Sequence, residues 1–391
     1  MGPERLSTVI DQRFALRVLA RSLLLFLVLN LLFAVTDPLP ALGKVSLYNL
    51  VLPGRSRLPY GDDSAKAYSV SIPSLEPLMA SHELSAGAKP DDGFKVLVLG
   101  DSSIWGFLLA PGQTVTAQLN AQDLRTQDGK PLRFYNLGYP TLSLLKDLAI
   151  LGEALPYEPD LILWFVTLES FPYSRQLDSP VVQHNPRIVR DWIARYRLPL
   201  DPADSRFVDT SWFQRTIVGR RKDLADLFRL QLYGVMWAAT GIDHDLEQPY
   251  DSAMQDLEAD LSFHEYGPGQ LAKEELAFEL LDAAVAAASH VPIVIVNEPI
   301  LISRGRNSHL RYNFYYPRWA YDDYRALLRA LADARGWAYV DLWDFLPPES
   351  FTNTAIHYDA PSARRVALRL GSIALEAIDR SPSQEGVEQT P

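Results

Sequence analysis

Residues 95–103 read KVLVLGDSS, and the fold is decided there. The run KVLVL is short, continuous and rich in Val and Leu, which suits a strand buried on both faces rather than one that alternates between core and water. Gly100 ends it. Asp101, Ser102 and Ser103 then fall where a strand gives way to a turn, and a serine presented there sits near turn or helix amides that can stabilise negative charge on a reacting oxygen.

Working outward, the same alternation recurs. Thr114 to Leu124 has a helical apolar rhythm, LRFYNL at 132–137 reads as a strand, Ser143 to Leu155 as a helix, and DLILWFV at 160–166 as a third buried strand. After an insertion the pattern resumes with a helix from Leu271 to Ser289, the strand PIVIVN at 292–297 and a helix from Tyr321 to Arg335 closed by Gly336. The strand AYVDLW at 338–343 and a last helix from Pro361 to about Ile378 complete it, with Val366, Leu370, Ile373 and Ala377 on one helical face. Strands alternating with helices predict a three-layer α/β/α fold around a mostly parallel sheet. Sites in such folds lie at the carboxyl ends of the strands.

The chain has 391 residues, 48% hydrophobic and 22% charged, an ordinary globular composition. Its 37 Lys+Arg against 48 Asp+Glu give a formal net charge of -11, so nucleic acid is not an expected partner. With no cysteine, thiol nucleophiles, disulfides and Cys-ligated metals are excluded. The remaining histidines, at 82, 184, 244, 264, 290 and 309, lack metal-ligand spacing and read as surface or capping residues, so neither metal nor other cofactor is expected.

The N-terminus locates the protein. SLLLFLVLNLLFAV at 22–35 is uncharged, preceded by Arg5, Arg13, Arg17 and Arg21 and followed by Asp37. That charge order is N-in, C-out. Three readings are open: a signal anchor, a cleaved signal peptide, or a buried helix of a soluble protein. Phe14 to Val35 is long enough to span if Arg17 and Arg21 snorkel, whereas Phe33-Ala34-Val35-Thr36 is a poor cleavage site, so the anchor is the expectation. The chain then divides into an anchor at 1–37, a stalk and lead-in rich in Pro, Gly, Ser and Asp at 38–93, an α/β domain at 94–380 and a disordered tail at 381–391. The expected location is the plasma membrane, single-pass, with the C-terminal domain outside the cytoplasm.

The insertion at about 171–268 holds two amphipathic helix candidates, 185–198 and 223–242. They form either a helical cap or a lid or membrane-facing surface.

VLVLGDSSIWG resembles the first block of the SGNH/GDSL hydrolases, and Asn353-Thr354-Ala355-Ile356-His357 before the last helix resembles the block carrying that family's histidine. The resemblance covers roughly 95–170 and 290–378. It implies the SGNH-hydrolase, flavodoxin-like arrangement, with Ser102 as nucleophile and His357 as its base, meeting across the sheet edge. It also marks departures. The family's glycine that supplies one oxyanion N–H falls at or near Thr141, with Gly138 read as turn geometry, and a backbone N–H donates whatever the side chain. Where the family has an asparagine aimed at the oxyanion, the chain reads Thr167-Leu168-Glu169-Ser170. The acid that orients the histidine is replaced by Thr354 with Asn353 beside it, leaving Asp359, Asp341, Asp344 or Glu298 as substitutes. Asn297-Glu298-Pro299 and the loop RGRNSHLRYNFYYPRW at 304–319, with Arg311, offer aromatic, Arg and Asn groups suited to an acylated sugar.

The resemblance implies an esterase or O-acyltransferase acting on acyl esters of envelope glycans or lipids. A catalytically weakened domain that binds a glycan or a membrane-protein partner is the second expectation. Dinucleotide binding is disfavoured, because GDSSIWG lacks closely spaced glycines.

Overall fold

Five strands, β1 (Phe94–Gly100), β2 (Leu132–Gly138), β3 (Leu161–Val166), β4 (Ile293–Asn297) and β5 (Ala338–Asp341), all pair in parallel in the order β2-β1-β3-β4-β5. The computed structural model describes residues 12–50, 52, 54–61, 72–87, 93–240, 250–269 and 271–380; the expected tail at 381–391 lies outside them. Before the sheet come α1 (Gln12–Thr36), α2 (Leu39–Gly43) and α3 (Leu75–Ser81). Around its first three strands run α4 (Ser102–Trp105), α5 (Val115–Asn120) and α6 (Leu144–Ala154). The insertion holds α7 (Pro180–His184), α8 (Pro186–Tyr196) and α9 (Arg221–Thr240), and α10 (Glu279–Ala288), α11 (Arg318–Arg335) and α12 (Ala360–Arg380) complete the layers.

Period-two alternation divides the strand residues between two cores. Leu97, Leu99, Ile162, Trp164 and Ile295 face one side, against α3, α6, α10 and α11. Val96, Val98, Leu163, Phe165 and Val294 face the other, against α5 and α12, where Val366, Leu370 and Ile373 are buried. Both faces are covered, so the strands read as continuous apolar runs.

Expectations change at the Leu271 helix, in the stalk and at Gly138. The helix expected from Leu271 begins only at Glu279, because Leu276 bridges to Pro172 and Ala277 donates its N–H to Phe171 O at 2.9 Å, which holds this stretch extended. Parts of the expected stalk belong to the domain. Leu58, Ile72, Leu75, Leu78, Met79 and Leu84 join the core. Arg57 is fully buried, stacks over Trp105 at 4.4 Å and donates to the carbonyls of Gly106 at 2.9 Å and Leu109 at 3.1 Å. Burial lowers Arg57 to about 9, which leaves it charged at neutral pH. A Pro- and Ser-rich composition concealed this role.

α1 is long and apolar enough to cross a membrane. Only Asn30 and Ala34 along it are buried, so it is not a core helix of the domain.

One contact positions the turn after β1. Gly138, expected as turn geometry, is instead the last residue of β2, opposite Gly100. A side chain there would place its Cβ 2.4 Å from the Trp105 nitrogen and 2.8 Å from the Ile104 carbonyl carbon. Asn136 fixes the approach, donating to Ile104 O at 2.7 Å and accepting the Gly138 N–H at 3.0 Å. Gly138→Ala is therefore expected to destabilise the full-length protein by about 1–3 kcal/mol through overpacking, read as a lower urea midpoint.

Candidate active site

Asp101 ends the first strand's run-out as the N-cap of α4, its Oδ1 accepting the Ser103 N–H at 2.7 Å. Ser102 is then the first residue of α4, at the carboxyl edge of the sheet. Since β1 lies between β2 and β3, Ser102 is flanked by the segments that follow those strands, which carry Thr141 and Glu169. Lys146 ties two of these ends together. It is completely buried on α6 and donates to Gly100 O and Tyr139 O, both at 2.8 Å, while pairing with Asp147 at 2.7 Å.

His357 arrives from the turn before α12. Thr354 Oγ1 accepts the N–H groups of Ile356 at 3.3 Å and His357 at 3.1 Å, so Thr354 builds the turn and makes no hydrogen bond to the ring. Asn353 holds the imidazole. Its Oδ1 lies 2.8 Å from Nδ1, and Nε2 lies 2.6 Å from Ser102 Oγ. An amide oxygen can only accept, so Nδ1 carries the proton, and Nε2 is left to accept from the serine hydroxyl. Phe107 stacks on the ring with centroids 5.0 Å apart. Burial, with no carboxylate to oppose it, lowers His357 to about 4. The serine and the histidine, 255 residues apart, thus meet across the carboxyl edge of a 2-1-3-4-5 parallel sheet.

The strand order and the Ser102–His357 pair are those that the sequence resemblance to the SGNH/GDSL hydrolases implies.

No family model matches the chain, and no curated protein matches it. Similar solved structures include a carbohydrate acetylesterase family member from Sinorhizobium meliloti, at 15% identity over 73% of this chain and 99% of that one, with a TM-score of 0.33. The native aryl esterase of M. Smegmatis matches at 13% identity over 73% and 100%, with a TM-score of 0.33. A lipolytic protein of the G-D-S-L family from Veillonella parvula DSM 2008 matches at 12% over 74% and 100%, with a TM-score of 0.34. Likeness at this level carries no information about substrate.

Among the described residues, the N–H groups of Ser102 and Thr141 make no hydrogen bond, which leaves two backbone donors available at this edge. Thr141 holds φ 104°, a conformation costly for a β-branched residue and free for the glycine that the family resemblance places there. Glu169 does not stand alone. Its Oε2 lies 2.9 Å from His264 Nε2 and its Oε1 3.7 Å from Arg175, and the bond to Glu169 raises His264 above the usual imidazole value. A cavity of about 300 Å³ lies here, lined by Thr141, Glu169, Arg175, Asp178, Ser179 and Tyr315.

Several expected participants have other work. Asn297 is fully buried, donating to Asp341 at 2.9 Å and accepting from Tyr324 at 3.1 Å, so it ties β4 to β5 and α11 rather than facing substrate. Arg311 spends its guanidinium on backbone carbonyls of Asp260, Ser262, Asn313, Phe314 and Tyr315, which shapes the 304–319 loop and leaves no donor pattern for a ligand. Glu298 supplies no charge to His357. It accepts from Ser103 Oγ at 2.6 Å, and burial first, then the neighbouring Asp101 carboxylate, push it well above the usual range. Asp101 is raised as well, by burial. Asp341 is held by Arg325 at 2.8 Å, Asp359 caps α12 through the Ser362 N–H at 2.9 Å, and neither these nor Asp344 bonds the imidazole.

Lys146, Phe107, Arg57 and His264 escape the sequence reading. Lys146-Asp147 among Leu144, Leu145 and Leu148 was the one signal present, a charged pair inside an apolar helix stretch. The others needed the tertiary structure.

A base that works as neutral imidazole is lost as pH falls through its own value. Any activity that depends on Nε2 is expected to stay level from neutral pH down to about 5 and to fall below about 4. Phe107→Ala, which admits water to the ring, moves that acid limb up toward 6.5, measured from the pH dependence of kcat/KM on a small acyl ester.

Proposed function

We propose that the protein is a serine esterase or O-acyltransferase, anchored by α1 with its α/β domain outside the cytoplasm, acting on acyl esters of envelope glycans or lipids. The observation that carries this is the Ser102–His357–Asn353 relay, with 2.6 Å between Oγ and Nε2 and 2.8 Å between Nδ1 and the Asn353 oxygen.

In the first step Ser102 Oγ attacks the acyl carbonyl carbon and its proton passes to His357 Nε2. The tetrahedral oxyanion is met by the N–H groups of Ser102 and Thr141. Collapse breaks the ester C–O bond, the leaving alkoxide takes the proton from Nε2, and the acyl group stays on Ser102. Water, or an acceptor alcohol in the transferase version, then attacks the acyl-serine carbonyl with its proton going to Nε2; collapse breaks the acyl–Oγ bond, releases the acid or the new ester, and returns the proton from Nε2 to Oγ. No cofactor enters. Asn353 fixes the tautomer but brings no negative charge to the imidazolium, so the relay is weaker than one ending in a carboxylate.

The cavity that Thr141 lines suits a hydroxyl-rich substrate portion, with Arg175 and Glu169, itself paired with His264, as its recognition groups. A second reading has one observation in its favour. Glu169 stands where an oxyanion donor is expected and is paired with His264, which fits a weakened domain that binds a glycan or a membrane-protein partner.

Turnover of small acyl esters by the full-length protein separates the two. Ser102→Ala and His357→Ala are expected to lower kcat/KM by on the order of a thousandfold or more, and Asn353→Ala by on the order of tenfold to a hundredfold. Asn353→Asp, which restores charge behind the ring, is expected to raise it. Wild-type turnover no greater than that of Ser102→Ala would leave the binding reading.

A further inference from the structure

The insertion carries an apolar surface that the relay does not use. On α9, Phe228, Leu232, Val235 and Met236 are 70%, 69%, 48% and 43% exposed, at the spacing of a single helical stripe. The other side of α9 is committed to the protein. Leu230 is buried in the core. At the edge of the stripe, Gln231 accepts the Leu47 N–H at 2.7 Å and donates to Val45 O at 2.9 Å. Through that grip the stripe adjoins the segment that leaves α1 and α2, where Leu42, Val45, Leu47 and Leu50 are 46%, 49%, 56% and 80% exposed.

A separate contact sets the depth. Asn30 interrupts the apolar run of α1, donates to Phe26 O at 2.9 Å and accepts the Val218 N–H at 3.2 Å. It lies six residues before the end of α1, about 9 Å along the axis. The turn at 211–219 therefore reaches down beside α1, below the end of its apolar run. The side chains it exposes there are Trp212 at 59%, Phe213 at 62% and Val218 at 37%. Aromatic side chains at that depth suit the boundary between headgroups and hydrocarbon, and Arg221 and Lys222 at the start of α9 are exposed where headgroup phosphates would meet them.

We propose that the 211–236 segment is an interfacial element embedded in the bilayer, and that with α1 it gives the domain a two-point seat on the membrane. The occupant of the apolar stripe is lipid. This rests on the reading of α1 as a membrane anchor, and it adds that the insertion, not the anchor alone, fixes how the carboxyl edge of the sheet is held relative to the lipid surface. A single helix would leave the domain free to turn about its tether; a second contact displaced from that axis removes the freedom.

The absence of cysteine makes a direct test possible in the full-length chain. Single variants Leu24→Cys in α1, Phe228→Cys and Leu232→Cys in α9, and Leu368→Cys on α12, itself 51% exposed, are nitroxide-labelled and reconstituted singly into nanodiscs of mixed anionic and neutral lipid. Relative accessibility to dissolved oxygen and to a water-soluble nickel chelate reports lipid against water. The expected result is an oxygen preference severalfold higher at 24, 228 and 232 than at 368. Positions 228 and 232 matching 368 while 24 stays lipid-like would overturn the inference and leave the anchor standing. A water-like result at 24 would remove the anchor reading and this inference with it. Shielding of 228 and 232 from both reagents would replace lipid with a protein contact and also overturn it.

Discussion

At the end of β2 two backbones come too close for any side chain, and the position of the nucleophilic turn depends on that approach. Gly138 lies against the Ile104–Trp105 backbone, so α4 can fold back over the sheet edge directly after β1. Asn136 holds the two segments from within β2, and Lys146 from α6 bridges the carbonyl of Gly100, at the end of β1, and that of Tyr139, just past β2. Arg57 closes the outer side of the same turn. Four residues from three parts of the chain thus fix one serine, which is what a hydroxyl needs if it is to meet an imidazole delivered from 255 residues away.

The electrostatics of the edge follow from burial. Three carboxyls lie in the interior, Asp101 and Asp147 near the buried Lys146 and Glu298 near Asp101, and all three are raised by desolvation, Asp147 to about 6. The imidazole is handled the opposite way from a relay with a carboxylate. Asn353 gives direction without charge, Phe107 and burial keep the ring neutral, and the result is a base available over a wide acid range but less strongly helped once it takes a proton.

The layered fold was legible because β1, β3 and β4 are short apolar runs ended by Gly, Asn or a polar turn, a pattern that suits doubly covered strands. Ser102 and His357 were legible as a resemblance, and Asn353 as an acceptor in reach of the ring. What was not legible involves groups whose partners are backbone atoms or distant residues. Arg311 reads as a ligand group until its donors are seen to be used by five carbonyls, and Asn297 until Asp341 and two tyrosines surround it. His264 reads as a surface residue because nothing local marks its pairing with Glu169, 95 positions earlier. The lead-in was misread for a related reason. Its composition is that of a loop, and a loop can still bury an arginine.

The central claim is that His357 activates Ser102 in the folded protein, and covalent trapping tests it most directly. The full-length chain is exposed to a fluorophosphonate and its peptides are analysed by mass spectrometry. The account predicts one adduct, on Ser102, absent from His357→Ala. A folded wild-type chain that acquires no adduct, or acquires it equally in His357→Ala, would contradict it.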